Sequence, residues 1–382
     1  MHTAGWFVAC GLVMAWLGAV AIGQQAPTAP DDPAKVLVAR LDLERYKATI
    51  KALTQFGDRR QGTDRNRAAV DWIDAQLKSY GCATERLHYV FTPPPPTPAP
   101  PARAGGPPNP LIASGEVRSG QGGSRYYGVT RPTQRSNSAE AQPDVTLRAL
   151  NAQPSAPGPR EQVYCTKIGA IRPGEMYIVG AHMDGIGFGE AANDDGSGTA
   201  LVMEIARLLS SPDVQTERSI RFVLWNNEET GLNGARAYVE QRAGLQGKED
   251  PVRSGRYPEP RWLAMIQHDM MLWDHGMPRA DEAMKLAFFF RDANEKYATD
   301  YPAAVGSHMT NTDSIPFMDV VPSISLRENE RGMHTGAGWN PHWHQTTDRY
   351  VTFSDKDFRL GLNAAQTTLG AVAQLAGATL KQ

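Results

Sequence analysis

Apolar residues recur at helical spacing over residues 34 to 56, at Val36, Leu37, Leu41, Leu43, Tyr46, Ile50 and Leu53, which predicts one long amphipathic helix. A second helix is predicted next: Thr63 or Asp64 caps it, Val70, Ile73 and Leu77 line one face, and Gly81 stops it. Residues 87–91 have strand character. The pattern then lapses, and residues 92–159 open with four consecutive prolines and stay rich in Pro, Ala, Gly and Ser. This segment reads as an insertion with little core, in which Tyr126-Tyr127-Gly128-Val129 is a short strand or a flap.

Beyond Gln162 the alternation becomes regular. Apolar runs over 163–168, 176–181, 220–225, 262–266 and 320–326 read as buried strands. Between and after them lie helical stretches at 197–209, 232–243, 281–297 and 355–375. Alternation of this kind predicts a single three-layer α/β/α domain over 35–380, built around a mixed, mostly parallel twisted sheet and interrupted by the Pro-rich insertion.

With 382 residues, 41% of them hydrophobic, the chain has enough apolar material for a large core, so disorder throughout is excluded. A formal net charge of -2 without a basic block argues against nucleic acid or an anionic membrane surface as partner. The apolar run over 6–22, followed by a Pro-rich polar stretch, predicts a signal peptide over 1–23 and a linker over 24–34. Ala19, Ala21 and Gly23 offer small residues for cleavage. A secreted or periplasmic protein is therefore expected, with an uncleaved signal anchor as the alternative. After removal of Cys10 two thiols would remain, Cys82 and Cys165, which either pair or stay as buried free cysteines.

The candidate chemistry follows the predicted strands. The run Tyr-Ile-Val-Gly-Ala leads into His182, Ile-Arg-Phe-Val-Leu-Trp leads into Asn226-Asn227-Glu228-Glu229, and Leu-Ala-Met-Ile-Gln-His leads into Asp269. Open α/β sheets bind ligands at their strand ends, so folding would gather these groups on one edge. In a regular strand Glu228 and Glu229 would face opposite ways, so one site can use both only if the chain turns, and Thr230-Gly231 suits a turn. Charge gives a further check. Two Zn²⁺ bring four positive charges, Asp194, Glu229 and Asp269 bring three negative ones, and one hydroxide closes the balance, with His182 and His344 as neutral ligands. Glu228 is then surplus to ligation and free to act as general base. Asp184, two residues past His182, is placed to accept the second ring N–H of that histidine, or else to form a turn before Gly185.

The strings Val-Gly-Ala-His182-Met-Asp184-Gly, Ala-Asn-Asp194-Asp195-Gly-Ser-Gly-Thr-Ala and Trp-Asn-Asn-Glu228-Glu229-Thr-Gly-Leu resemble the M28 family of co-catalytic zinc metallopeptidases. Phe56-Gly-Asp-Arg59-Arg-Gln-Gly-Thr63 resembles an early turn of that family, and His344-Gln-Thr-Thr-Asp348 its closing motif. The resemblance implies a phosphorylase/hydrolase-like fold. It places His182 and Asp269 on one zinc, Glu229 and His344 on the other, Asp194 as bridge and Glu228 as base, with a cis peptide after Asp194. The implied activity is zinc-dependent exopeptidase cleavage, foremost by an aminopeptidase removing apolar N-terminal residues. Alternatives are a carboxypeptidase or dipeptidase on the same core, a glutaminyl-peptide cyclotransferase that uses one zinc, and an inactive receptor-type ectodomain. The cyclotransferase branch of the resemblance lacks the first histidine, so His182 favours two metals and hydrolysis.

Departures from the family pattern are Thr312-Asp313-Ser314 in place of Ser-Asp-His, Gln267-His268 before Asp269, and Gln345 after the last ligand. His268 is expected to face away from the site, and His275 and His308 to be solvated; His334 and His342 are rivals of His344, which alone has Asp four residues on. Arg327 is expected to bind a carboxylate or to pair with Glu328 or Glu330, and Met270-Met271-Leu272-Trp273 to form an apolar pocket or simply core.

Overall fold

The computed structural model describes residues 32–93, 140–272, 279–281, 284–298, 300–306, 312–328 and 340–381. The chain divides into Met1–Asp31 and Asp32–Gln382, and every described residue belongs to the second unit. The expected signal peptide, most of the linker and Tyr126 to Val129 lie outside the described residues.

Eight strands form one sheet: β1 (Thr84–Phe91), β2 (Gly158–Lys167), β3 (Arg172–His182), β5 (Arg218–Trp225), β6 (Arg261–His268), β7 (Arg279–Asp281), β8 (Ala304–Val305) and β9 (Ser323–Arg327). Their order is β1-β2-β5-β3-β6-β9-β7-β8. The central neighbours β5, β3, β6 and β9 run parallel, whereas β1 and β2 enter antiparallel at one edge and β7 is antiparallel to β9. The sheet is thus mixed, with its parallel strands in the middle. β4 (Val214–Gln215) pairs separately with β10 (Thr379–Leu380).

Side chains that alternate along the strands explain the three layers. Val179, Ala181, Phe222 and Leu224 join one buried cluster, while Ile178, Val223 and Trp225 join another. The first is covered by α1 (Pro33–Val38), α2 (Leu43–Thr54), α3 (Asp64–Ser79), α5 (Gly196–Leu209), α7 (Met284–Tyr297) and α8 (Asp355–Leu375). The second packs under α6 (Asn233–Arg242) and the short turn Ile315–Phe317. No helix among the described residues is long and apolar enough to cross a membrane.

Several boundaries differ from expectation for local reasons. The single helix over 34–56 is two, because the Asp42 carboxylate accepts from the Arg45 amide at 2.7 Å and starts α2 afresh. Apolar spacing survives the break because Leu37, Tyr46, Ile50 and Leu53 all bury in the same cluster. Thr63 is the cap of α3. Residues 281 to 283 precede α7, and Asp281 ends β7. Residues 320–322 are not strand; Val320 and Val321 close a turn onto the Phe317 carbonyl at 2.9 Å, and β9 starts at Ser323.

The insertion is also shorter than its composition implies. The helix α4 (Val145–Asn151) is capped by Asp144, and β2 already begins at Gly158. Buried Gln142 donates to the Phe188 and Thr346 carbonyls at 2.9 Å, and Asn151 donates to the Gly189 carbonyl at 2.8 Å. Residues 140–157 therefore prop the loop that follows β3, through amide side chains that leave no apolar period behind. Cys82 and Cys165 are joined as a disulfide across 83 residues of chain.

Candidate metal centre

Four parallel strands end together. His182 closes β3 opposite Trp225 of β5, Ala181 stands opposite His268 of β6, and His268 opposite Leu326 of β9. Asp269 and Arg327 come next along their strands and Glu228-Glu229 follow Asn226-Asn227 after β5, so the groups meet at one sheet edge. Asp195 fastens this edge to the start of α5. One carboxylate oxygen accepts from the Gly198 and Met270 amides at 2.8 and 3.1 Å, and the other accepts from the His182 amide at 3.2 Å. The Asp194-Asp195 peptide is cis, as the resemblance implied.

All five expected ligands gather here in two overlapping groups, His182 with Asp194 and Asp269, and Asp194 with Glu229 and His344; within each, the ligand atoms lie within 4.8 Å of one another. His182 Nε2 is 3.1 Å from Asp194 Oδ1 and 3.9 Å from Asp269 Oδ1. His344 Nε2 is 2.9 Å from Glu229 Oε2 and 3.4 Å from Asp194 Oδ2. Asp194 thus offers a different oxygen to each group, the geometry of a bridging carboxylate. Glu229 Oε1 is buried without a hydrogen-bond partner, an orphaned acceptor that a cation would satisfy. The donor set of imidazole nitrogens and carboxylate oxygens suits zinc.

Electrostatics agree with that fit. Burial alone would raise Asp194, yet the two imidazoles hold it well below the usual carboxylate range. Burial lowers His344, but Glu229 and Asp194 outweigh it and pull the ring up to about 10, while burial lifts Glu229 to about 7. Packed carboxylates need cationic neighbours to stay ionised, and here the two imidazoles and the Arg327 guanidinium beside Asp269 supply that charge.

Glu228 and Glu229 reach one site because the chain turns. Asn227 has φ 68°, and the Gly231 and Leu232 amides both donate to the Glu228 carbonyl at 2.8 Å. Glu228 belongs to neither ligand group, although burial and the neighbouring Asp313 and Glu229 push its carboxyl well up against the pull of His182.

Asp184 does not act as expected. The Nδ1 of His182 meets the backbone carbonyl of Asp184 at 3.0 Å, whereas the nearest carboxylate oxygen is 3.9 Å away. The chain leaves the strand at His182, so the carbonyl turns back to the ring and the carboxylate reaches the neighbouring strand end. There its Oδ1 accepts from the Glu228 amide at 3.0 Å. Asp184 positions the candidate base through its backbone rather than tuning the histidine with its side chain.

Arg327 pairs with Asp269, not with Glu328, and Glu330 lies outside the described residues. The Glu328 carboxylate instead accepts from Asn193 and Asn340 at 2.9 and 2.8 Å. Met271 and Leu272 belong to the core and Met270 is buried, so the described part of this run is core, the second of the two expectations; Trp273 is not among the described residues. His268 is structural, with Nδ1 3.1 Å from the Gly180 carbonyl and Nε2 2.8 Å from Thr368 Oγ1. His342 meets Thr347 Oγ1 at 2.9 Å and stands outside the ligand groups; His275, His308 and His334 are not among the described residues.

Supporting residues complete the frame. The Asp348 carboxylate accepts from the Asn193 and Asp194 amides at 2.8 and 3.1 Å, so the closing motif holds the bridge in place. The fully buried Arg59 guanidinium donates to the carbonyls of Met183, Glu190 and Ala191 at 2.7, 3.0 and 2.8 Å, tying down the loop between first ligand and bridge. Asn193 and Asp313 lie inside the quoted motifs and Glu328 was named only as a partner for Arg327, and nothing in the sequence told what each of them holds.

A parallel-centred α/β/α sheet with two histidine-carboxylate groups sharing one aspartate defines a co-catalytic metal centre. The chain belongs to Peptidase family M28, whose model matches residues 166–365. Aminopeptidase YwaD of Bacillus subtilis is 38% identical over 82 residues, which are 22% of this chain and 18% of that protein. Carboxypeptidase Q of Xenopus laevis is 36% identical over 73 residues, 19% of this chain and 16% of that protein. The chain thus matches under a fifth of the length of these relatives. In fold it is similar to the aminopeptidase from Aneurinibacillus sp. strain AM-1, with a TM-score of 0.60 at 18% identity, covering 90% of this chain and 96% of the other.

Proposed function

We propose that the protein is a two-zinc exopeptidase that acts as an aminopeptidase, with His182 and Asp269 on one zinc, Glu229 and His344 on the other, and Asp194 between them. The observation that carries this reading is the division of labour at the strand ends: Asp194 offers one oxygen to each group, and Glu228 stands outside both. When bound, two Zn²⁺ would supply Lewis-acid polarisation of the scissile carbonyl and acidify the attacking water. The Glu228 carboxylate takes the proton of that water and delivers it to the leaving amine. Asp184 keeps Glu228 in register by holding its amide. An oxidising compartment, secreted or periplasmic, is part of the proposal, and the Cys82–Cys165 disulfide supports it.

Replacing Glu228 by Gln should leave metal content unchanged and reduce hydrolysis of aminoacyl anilides by about 10²- to 10⁴-fold. Undiminished turnover in E228Q would overturn the assignment of the base. Two zincs per chain are expected by metal analysis; a single one favours the cyclotransferase and none the inactive ectodomain. Cleavage that disappears on N-acetylation of a peptide marks the aminopeptidase, and cleavage lost on C-terminal amidation marks the carboxypeptidase.

A further inference from the structure

Beside the metal ligands lies a second set of buried polar groups that the mechanism does not use. The guanidinium of Arg327 spends one nitrogen on Asp269 Oδ2, while its Nε and Nη1 are buried without any partner. The side chain is 4% exposed. Facing the same sheet edge, Asp313 is held by Gln267 Nε2 at 3.4 Å through one oxygen, and its other oxygen has no partner. The hydroxyls of Thr312, Ser314 and Ser325 are likewise buried and unpartnered. Gln267 stands opposite Ser325 in the β6–β9 register, so Gln267 and Asp269 of one strand run beside Ser325 and Arg327 of the other.

Buried donors without partners cost stability, and a guanidinium is charged at every accessible pH and has no acceptor of its own. Arg327 and Asp313 do not cancel one another by hydrogen bonding, since atoms of both remain unpaired. An apolar side chain entering here would leave those groups as they are. A carboxylate would satisfy the guanidinium with charge-assisted bonds.

We propose that Arg327, with the Ser325 hydroxyl two residues before it on the same face of β9, forms a subsite that recognises a carboxylate of the substrate next to the scissile bond. The proposal rests on the peptidase reading above and replaces the expected preference for apolar residues. The carboxylate belongs either to an acidic side chain at the peptide's first position or to the free terminus of a dipeptide.

The test uses the full chain loaded with zinc and needs no turnover. Calorimetric titration compares glutamate with glutamine, which reads the side chain, and leucine with leucinamide, which reads the terminus. In at least one pair the carboxylate should bind about 10- to 100-fold more tightly, the range expected of a hydrogen-bonded charge. R327M should abolish that ratio and R327K should restore part of it, with melting curves checking that both variants fold. Equal binding within both pairs overturns the proposal, and so does a ratio that survives in R327M, because the metals alone would then account for it. Glutamyl and glutaminyl anilides extend the test to catalysis: if Arg327 merely held Asp269, its loss would slow both substrates in proportion. Absence of turnover on every peptide despite bound zinc would instead sink the peptidase reading, and the binding ratios would still decide the subsite.

Discussion

At the scale of single residues, Asp184 acts on the candidate base without touching it, by accepting its backbone N–H. Asp184→Ala should therefore lower kcat by about 10- to 100-fold while leaving zinc content close to wild type, the size of effect seen when an outer partner of a metal site is lost. Asp184→Asn keeps an oxygen for the amide and should recover part of the rate. Anilide kinetics beside metal analysis separate these outcomes, and loss of zinc in the alanine variant would point to the histidine instead. The ligands were legible because each is a chemically distinctive residue just past an apolar run. What Asp184 does was not legible, because whether its carbonyl or its carboxylate meets the ring depends on how the chain leaves the strand.

Between strand and helix, the loop over 183–191 depends on a residue far upstream. Arg59 fills its donors with backbone carbonyls of that loop and of Leu53 and Gly57, and it is wholly buried. Arg59→Met would strip partners from several buried carbonyls at once and should cost about 3 kcal/mol or more of stability, since each orphaned buried group costs about 1–3 kcal/mol. Denaturant unfolding measures the loss, and a variant as stable as wild type would show that water takes over the bonding. The strands and long helices could be read from apolar periodicity. The break between α1 and α2 and the role of residues 140–157 could not, since Asp42, Gln142 and Asn151 act by single side-chain bonds to the backbone.

Two features act on the molecule as a whole. The disulfide closes a loop of 83 residues between the end of α3 and β2, so replacing Cys82 and Cys165 by Ala should lower stability by about 2–5 kcal/mol while the sheet edge keeps its activity. Thermal melting and anilide turnover, measured together, check both halves of that statement. Stripping metal with a chelator should lower the melting temperature as well as abolish activity, and added zinc should restore both, because a ligand that binds only the folded state stabilises it. A chelator that removed activity without moving the melting temperature would mean that the carboxylates are held by the protein frame alone. Overall architecture was readable because a buried parallel sheet leaves continuous apolar runs, whereas β7 and β8 at one side of the sheet, with only three and two residues, are too short to leave a trace.

Asp348 reaches back across 154 residues to hold the Asp194 amide, and His344 brings the last ligand with it. Synthesis proceeds from the amino terminus, and domains fold as their residues emerge. While the ribosome still holds the final motif, neither the bridge nor the second metal position is complete. The metal centre is thus completed only once 193–195 and 344–348 have met, and no shorter stretch of the chain holds both ligand groups.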